Sequence, residues 1–204
     1  MSGPADMHSL DMLLWGLLGY VVLPLWLLSG AADYLCHART DIAHTSGTHE
    51  SALHLLQTAE IGLPVLVFLF LSTNALTLAL MTAGVVAHAA TSWCDVTFAA
   101  RLRHISPFEQ YVHSFLNVLP WIALALVAIL HWPVVVAMFD PAIASDWKPH
   151  WRQPAFDGGI LFAVLAASLL LGALPGVLEF MHVLAVARRG RPSPASSAGM
   201  VDDR

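Results

Sequence analysis

Charge is what this sequence has least of. Asp, Glu, Lys and Arg together make up 11% of the 204 residues, against about 25% in an ordinary soluble domain. With 57% hydrophobic residues and a mean hydropathy of +0.69, too little polar surface remains to face water, and the chain is expected in a lipid bilayer. Its nine basic residues form no patch beyond a short tail cluster, which speaks against a nucleic-acid partner. Cysteine is nearly missing as well. Cys36 and Cys94 do not stand as C-x-x-C, so neither a disulfide framework nor a paired-thiolate site is expected. The first apolar run has an acidic lead, Asp6 and Asp11, in place of the basic one a cleavable signal would carry, and it is expected to stay as an anchor.

What the sequence does have is long apolar runs and eleven histidines. The runs predict an all-α fold with five transmembrane helices at about 12–37, 50–71, 75–99, 107–130 and 159–187, followed by a disordered cytoplasmic tail at 188–204. Pro24 is expected to kink the first span. Ser106-Pro107-Phe108-Glu109 has the order of a capping box and places Glu109 in the first turn of the fourth. The segment from His131 to Gly158, with Trp132, Trp147 and Trp151, suits the headgroup region. Arg39, Arg101, Arg103, Arg188, Arg189, Arg191 and Arg204 fall on one side of the five spans, and Lys148 and Arg152 on the other. That imbalance predicts a cytoplasmic C-terminus and an external N-terminus.

The histidines fall into a pattern with acids. Asp33/His37, Glu50/His54 and Glu109/His113 are spaced i,i+4 and His88/Asp95 i,i+7, and both spacings return to one helix face. Every pair lies at the end of a span, and the topology brings all four to the cytoplasmic level. An ionisable group in a span is costly without a function or a partner. A single pair reads best as a satisfied polar couple; four at one depth read as ligands. The expectation is therefore four helices bundled around two divalent ions, held by Asp33, His37, Glu50, His54, His88, Asp95, Glu109 and His113. Iron is favoured, with zinc or manganese as alternatives for a mixed nitrogen and oxygen set.

Glu179-x-x-His182 offers an additional ligand or an outer partner, and Glu60, deeper in its span, a proton carrier or interhelical partner; Glu179 is also a candidate for proton transfer. His44 and His104 belong to loops. His49-Glu50…His54 fails as a zinc-protease signature because its histidines are five apart, not four. The His-x-x-His-His clusters of membrane hydroxylases and desaturases are absent, and haem between two histidines would not explain the carboxylate beside each.

Asp33-Tyr34-Leu35-Cys36-His37, Thr45-Ser46-Gly47, Glu50-Ser51-Ala52-Leu53-His54, Trp93-Cys94-Asp95 and the run Pro107–Leu116 resemble a family of small bacterial multi-pass membrane proteins often labelled diguanylate cyclase. The resemblance implies a bacterial inner membrane and the five-span layout, and brings no established activity. Cyclase chemistry itself is not expected. It needs a soluble α/β domain with a Gly-Gly-Asp/Glu-Glu-Phe turn, and only Asp157-Gly158-Gly159 is present. The leading expectation is a di-iron oxidoreductase acting on a lipophilic substrate with a redox partner. Alternatives are a dizinc hydrolase, a metal carrier or sensor, and a structural protein whose polar pairs join helices.

Overall fold

In a computed structural model, which describes residues 4–189, the chain is all-helical, with no strand among the described residues. Five helices are long and apolar enough to cross a membrane, which marks a multi-pass membrane protein. The first, α1, joins Pro4–Leu17, a π-helical turn Leu18–Val22 and Leu23–Thr40. Then come α2 (Gly47–Phe70), α3 (Ala75–Ala99), α4 (Pro107–Leu130) and the short α5 (Trp132–Phe139). Last is α6, built from Gly158–Ser168, a second π-helical turn Leu169–Ala173 and Leu174–Arg189. The expected spans hold to within a few residues, except that α1 begins earlier and α5 interrupts the expected loop. Arg188 and Arg189 end α6, and the rest of the expected tail lies outside the described residues.

Both π turns have one cause. Each ends two residues before a proline, Pro24 in α1 and Pro175 in α6. Proline has no N–H to give the carbonyl four residues back and its ring crowds that carbonyl, so the helix widens there. The expected kink at Pro24 takes this form.

A third proline, Pro64 inside α2, leaves the Glu60 carbonyl free, and Gly84 of α3 packs against both. A Cβ at Gly84 would lie 2.4 Å from Pro64 Cγ and 2.6 Å from the Glu60 carbonyl oxygen, so the α2–α3 crossing requires glycine. Asn74 and Thr77 form a reciprocal capping box that starts α3, at 3.1 and 2.8 Å. Ser106 caps α4 by accepting from the Glu109 N–H at 3.2 Å. The Glu109 side chain does not complete the expected box; it turns inward.

The bundle divides into two levels. Around the α2–α3 turn it is dry: Val67, Leu78, Met81 and Val127 form a buried cluster, closed by Val134, Val135 and Met138 of α5. The 140–157 segment crosses that end, where Ser72 donates to the His150 carbonyl and Arg152 to the Phe70 carbonyl, both at 2.9 Å. At the other end buried acids and histidines, among them Asp33, His37, Glu50, Asp95 and Glu109, lie beside apolar residues such as Val112 and Val183. Large apolar side chains such as Leu28, Leu63, Phe162 and Leu170 point outward, as a lipid-facing surface demands.

Candidate metal centre

The polar level gathers seven of the eight expected ligands and adds two groups. Asp33 and His37 come from the last turns of the Leu23–Thr40 helix, where the i,i+4 spacing stacks them on the inward face. Glu50 and His54 open α2, Asp95 closes α3, and Glu109 and His113 open α4. Glu50 and Glu109 are fully buried, and His37 is 1% exposed.

The pairs do not bond within themselves as the spacing suggested. Asp33 and His37 stand 3.6 Å apart, whereas the short contacts run between helices. His113 Nε2 reaches Asp33 Oδ1 at 2.9 Å, and His54 Nε2 reaches Asp95 Oδ2 at 3.1 Å. The rings of His37 and His54 are stacked, with centroids 4.3 Å apart and planes 2° from parallel.

Glu179 of α6 organises the two stacked rings. Its Oε2 accepts from His37 Nδ1 at 3.0 Å and its Oε1 from His54 Nδ1 at 3.1 Å. An ionised carboxylate only accepts, so both Nδ1 atoms carry a proton; the Nε2 lone pair of His37 faces the cluster, whereas His54 Nε2 donates as well, to Asp95. A carboxylate behind an imidazole in this way is the arrangement that orients metal-ligating histidines. The expectation of four helices around the site is thereby corrected to five.

His37 Nε2 is the centre of the arrangement. It has no hydrogen-bond partner, yet oxygens of Asp33, Glu50 and Glu109 surround it at 3.6, 3.8 and 3.7 Å. These gaps are too long for hydrogen bonds. They approach the roughly 3.0–3.5 Å that separates donors sharing one ion with bonds of about 2.1 Å. Buried atoms Glu109 Oε2, Asp95 Oδ1 and Ser51 Oγ also lack partners. Two groups of donors lie close enough to hold an ion: Asp33, His37, Glu109 and His113, and His37, Glu50 and His54. The buried His/Asp/Glu cluster could thus hold a metal ion.

Arg103, which the sequence offered only as part of a basic loop, is the second added group. Its Nη2 donates to Glu109 Oε1 at 2.6 Å and to Glu50 Oε1, and its Nε to Glu50 Oε2 at 3.3 Å. Burial works against the charge of this guanidinium, but the bonds to Glu50 and Glu109 outweigh it and raise its pKa above the ordinary arginine range. Five carboxylates (Asp33, Glu50, Asp95, Glu109 and Glu179) face one guanidinium and the doubly donating ring of His54, which leaves three negative charges. The only signal in the sequence was position: an arginine in a short loop between two ligand-bearing helix ends.

Two expected ligands sit elsewhere. His88 is 4% exposed but lies two turns from Asp95, about 10 Å along α3, and its Nε2 donates to the Leu116 carbonyl at 3.3 Å. The i,i+7 spacing gave it the right face and the wrong level. His182 is exposed, because α6 flanks the bundle and only Glu179 and Val183 of its last helix, Leu174–Arg189, are buried. Glu60 is an interhelical partner, accepting from Thr91 Oγ1 of α3 at 2.8 Å. Gln57, not anticipated, donates to Asp95 Oδ2 at 3.2 Å.

Fold and cluster together define a class: a multi-pass membrane protein with a buried carboxylate–histidine centre. No protein-family model matches the chain, and neither the curated proteins nor the solved structures contain a detectable match to it.

Proposed function

We propose that the protein is a membrane-embedded metalloenzyme of the redox type, binding divalent metal at the Asp33/His37/Glu109/His113 group. The observation that carries this reading is His37 Nε2, a buried lone pair held toward three carboxylates with none in bonding range. One nitrogen binds one ion, and both donor groups use His37. The four-residue group is therefore the primary site. The Glu50/His54 side takes a second ion when Arg103, which now neutralises Glu50, gives way. A second ion would displace the His54 Nε2 proton, so that four negative charges meet two divalent ions.

Iron is favoured over zinc and manganese because carboxylate and imidazole ligation supports redox chemistry at iron. The metal would supply oxygen activation on a lipophilic substrate, and a redox partner would supply electrons. Glu179 orients the two imidazoles, and Glu60, with Oε2 buried and unpartnered, is the nearest deeper acid for moving a proton. A carrier is disfavoured, since beyond Glu60 the bundle closes on Val67, Leu78, Met81 and Val127 without a polar path.

The membrane is assigned as a bacterial inner membrane, with the cluster on the cytoplasmic side. Arg103 and Arg152 are bound inside; the remaining described basic residues are Arg39, Arg101, Arg188 and Arg189 on the cluster side and Lys148 on the other.

A second reading has its own observation. The bonds of Arg103 to Glu50 and Glu109, and of Glu179 to two histidines, form a network that can join helices without metal. Metal analysis by mass spectrometry on detergent-purified protein, beside His37→Ala and Glu109→Ala, separates the two. Stoichiometric iron lost in both variants, with oxygen uptake by the wild type, supports the oxidoreductase. Stoichiometric zinc would redirect the reading to hydrolysis. A metal-free wild type, also after anaerobic purification, would overturn it in favour of the structural network.

A further inference from the structure

A cleft of about 90 Å³ opens beside the cluster, and its floor is the cluster itself: Asp33, His37, His54 and Glu179. Its walls are the same helix faces one to two turns deeper. Trp26 and Gly30 come from α1, Gly172 from α6, and His88 with Leu116 from α3 and α4. The volume equals that of roughly three waters, room for the end of a molecule and not for a whole lipid.

The space is built by backbone. The π turn Leu169–Ala173 of α6 lies against the Leu23–Thr40 helix of α1, and glycines occupy the contact. A Cβ on Gly30 would lie 3.8 Å from the Leu171 carbonyl oxygen, and one on Gly172 would lie 4.0 Å from Leu27 Cδ2.

One polar atom of these walls, Trp26 Nε1, is buried without a partner. It is costly to bury alone. The indole N–H only donates. His88 is engaged by backbone: its Nε2 donates to the Leu116 carbonyl, and its ring also meets the Gln57 carbonyl. An uncharged group that accepts from the indole suits this cleft, and a hydroxyl is the simplest. A carboxylate meets the negative charge of the floor; an ammonium lacks the lone pair for Trp26.

We propose that this cleft binds the hydroxyl end of a neutral lipophilic molecule (an alcohol, phenol or quinol) whose apolar body remains in the bilayer. The assignment names the substrate class of the proposed metalloenzyme and rests on that reading for its catalytic meaning, though not for binding itself.

The test uses full-length protein in vesicles and two photoreactive probes of equal chain length, a diazirine-bearing hexadecanol and its hexadecanoic acid counterpart. Adducts are mapped by peptide mass spectrometry, and metal content is measured on the same samples. The alcohol is expected to label the cleft walls on α1 and α6, at least tenfold above the acid. Gly172→Phe fills the cleft and abolishes that labelling at unchanged metal content. Should Gly172→Phe not fold, Trp26→Phe keeps the cleft and removes the donor, and labelling falls severalfold. Equal labelling by acid and alcohol, or labelling untouched by both substitutions, overturns the proposal. A metal-free wild type that still shows selective labelling would sink the metalloenzyme reading and leave the cleft assignment standing.

Discussion

Two arginines leave the loops and bury their guanidinium groups, one at each end of the bundle, and their surroundings differ in kind. Arg103 meets the carboxylates of Glu50 and Glu109. Arg152 meets no carboxylate: it donates to the Phe68 carbonyl at 2.7 and 3.0 Å and lies over the rings of Phe68 and Phe156 at 5.0 and 4.6 Å. Burial lowers its pKa, with no acid to offset it. Arg152 therefore closes a helix end, satisfying a carbonyl that α2 leaves free. Arg103 balances charge that the fold cannot otherwise tolerate. One end of the bundle is finished by its own residues, and the other has an excess of negative charge that a cation can still reduce.

Arg103→Ala should break this contrast most severely. It strands two fully buried carboxylates, at a cost of about 3–5 kcal/mol. Thermal unfolding in detergent should show the largest drop of any single substitution, partly restored by added divalent metal. Arg103→Lys should fall between, since an ammonium cannot span both acids with a planar fork. A fully stable Arg103→Ala without metal would mean the two ends do not differ in charge balance.

Metal affinity sharpens the same contrast. His37→Ala should remove the primary ion. Glu179→Gln keeps the volume but releases the two imidazoles, and should weaken metal binding about 10–100-fold. Competition with a chelator measures both, and unchanged affinity in Glu179→Gln would remove its orienting role.

Packing effects come next in size. Gly84→Ala places a Cβ within 2.4 Å of Pro64 Cγ and should cost about 1–3 kcal/mol in thermal stability. Arg152→Ala loses a carbonyl contact and two ring contacts, about 1–2 kcal/mol, and should leave metal content unchanged. A loss of metal in Arg152→Ala would show that the ends are coupled.

The polar level was legible in sequence because its signals are local. A carboxylate and an imidazole four apart share a helix face whatever the fold. Chain reversal at each turn then sends Asp33, Glu50, Asp95 and Glu109 to one level. His88 failed for a reason the same geometry supplies, since seven residues preserve the face but move two turns along the axis. Arg103 and Gln57 were illegible because neither carries a periodic partner. Glu179 was visible as an isolated acid in an apolar helix, but its bond to two imidazoles at once depends on where α6 docks.

The sequence by itself determined five apolar helices and which of their acids and histidines share a helix face, because hydropathy and the 3.6-residue turn act along one chain. The tertiary structure decided the partners. It exchanged the acids between histidines of different helices, seated Arg103 among them and drew a fifth helix to the cluster. It also opened a cleft where the proline-widened turn of α6 meets the Leu23–Thr40 helix at glycines. Those outcomes depend on the distances between helices, which packing sets and no single helix encodes.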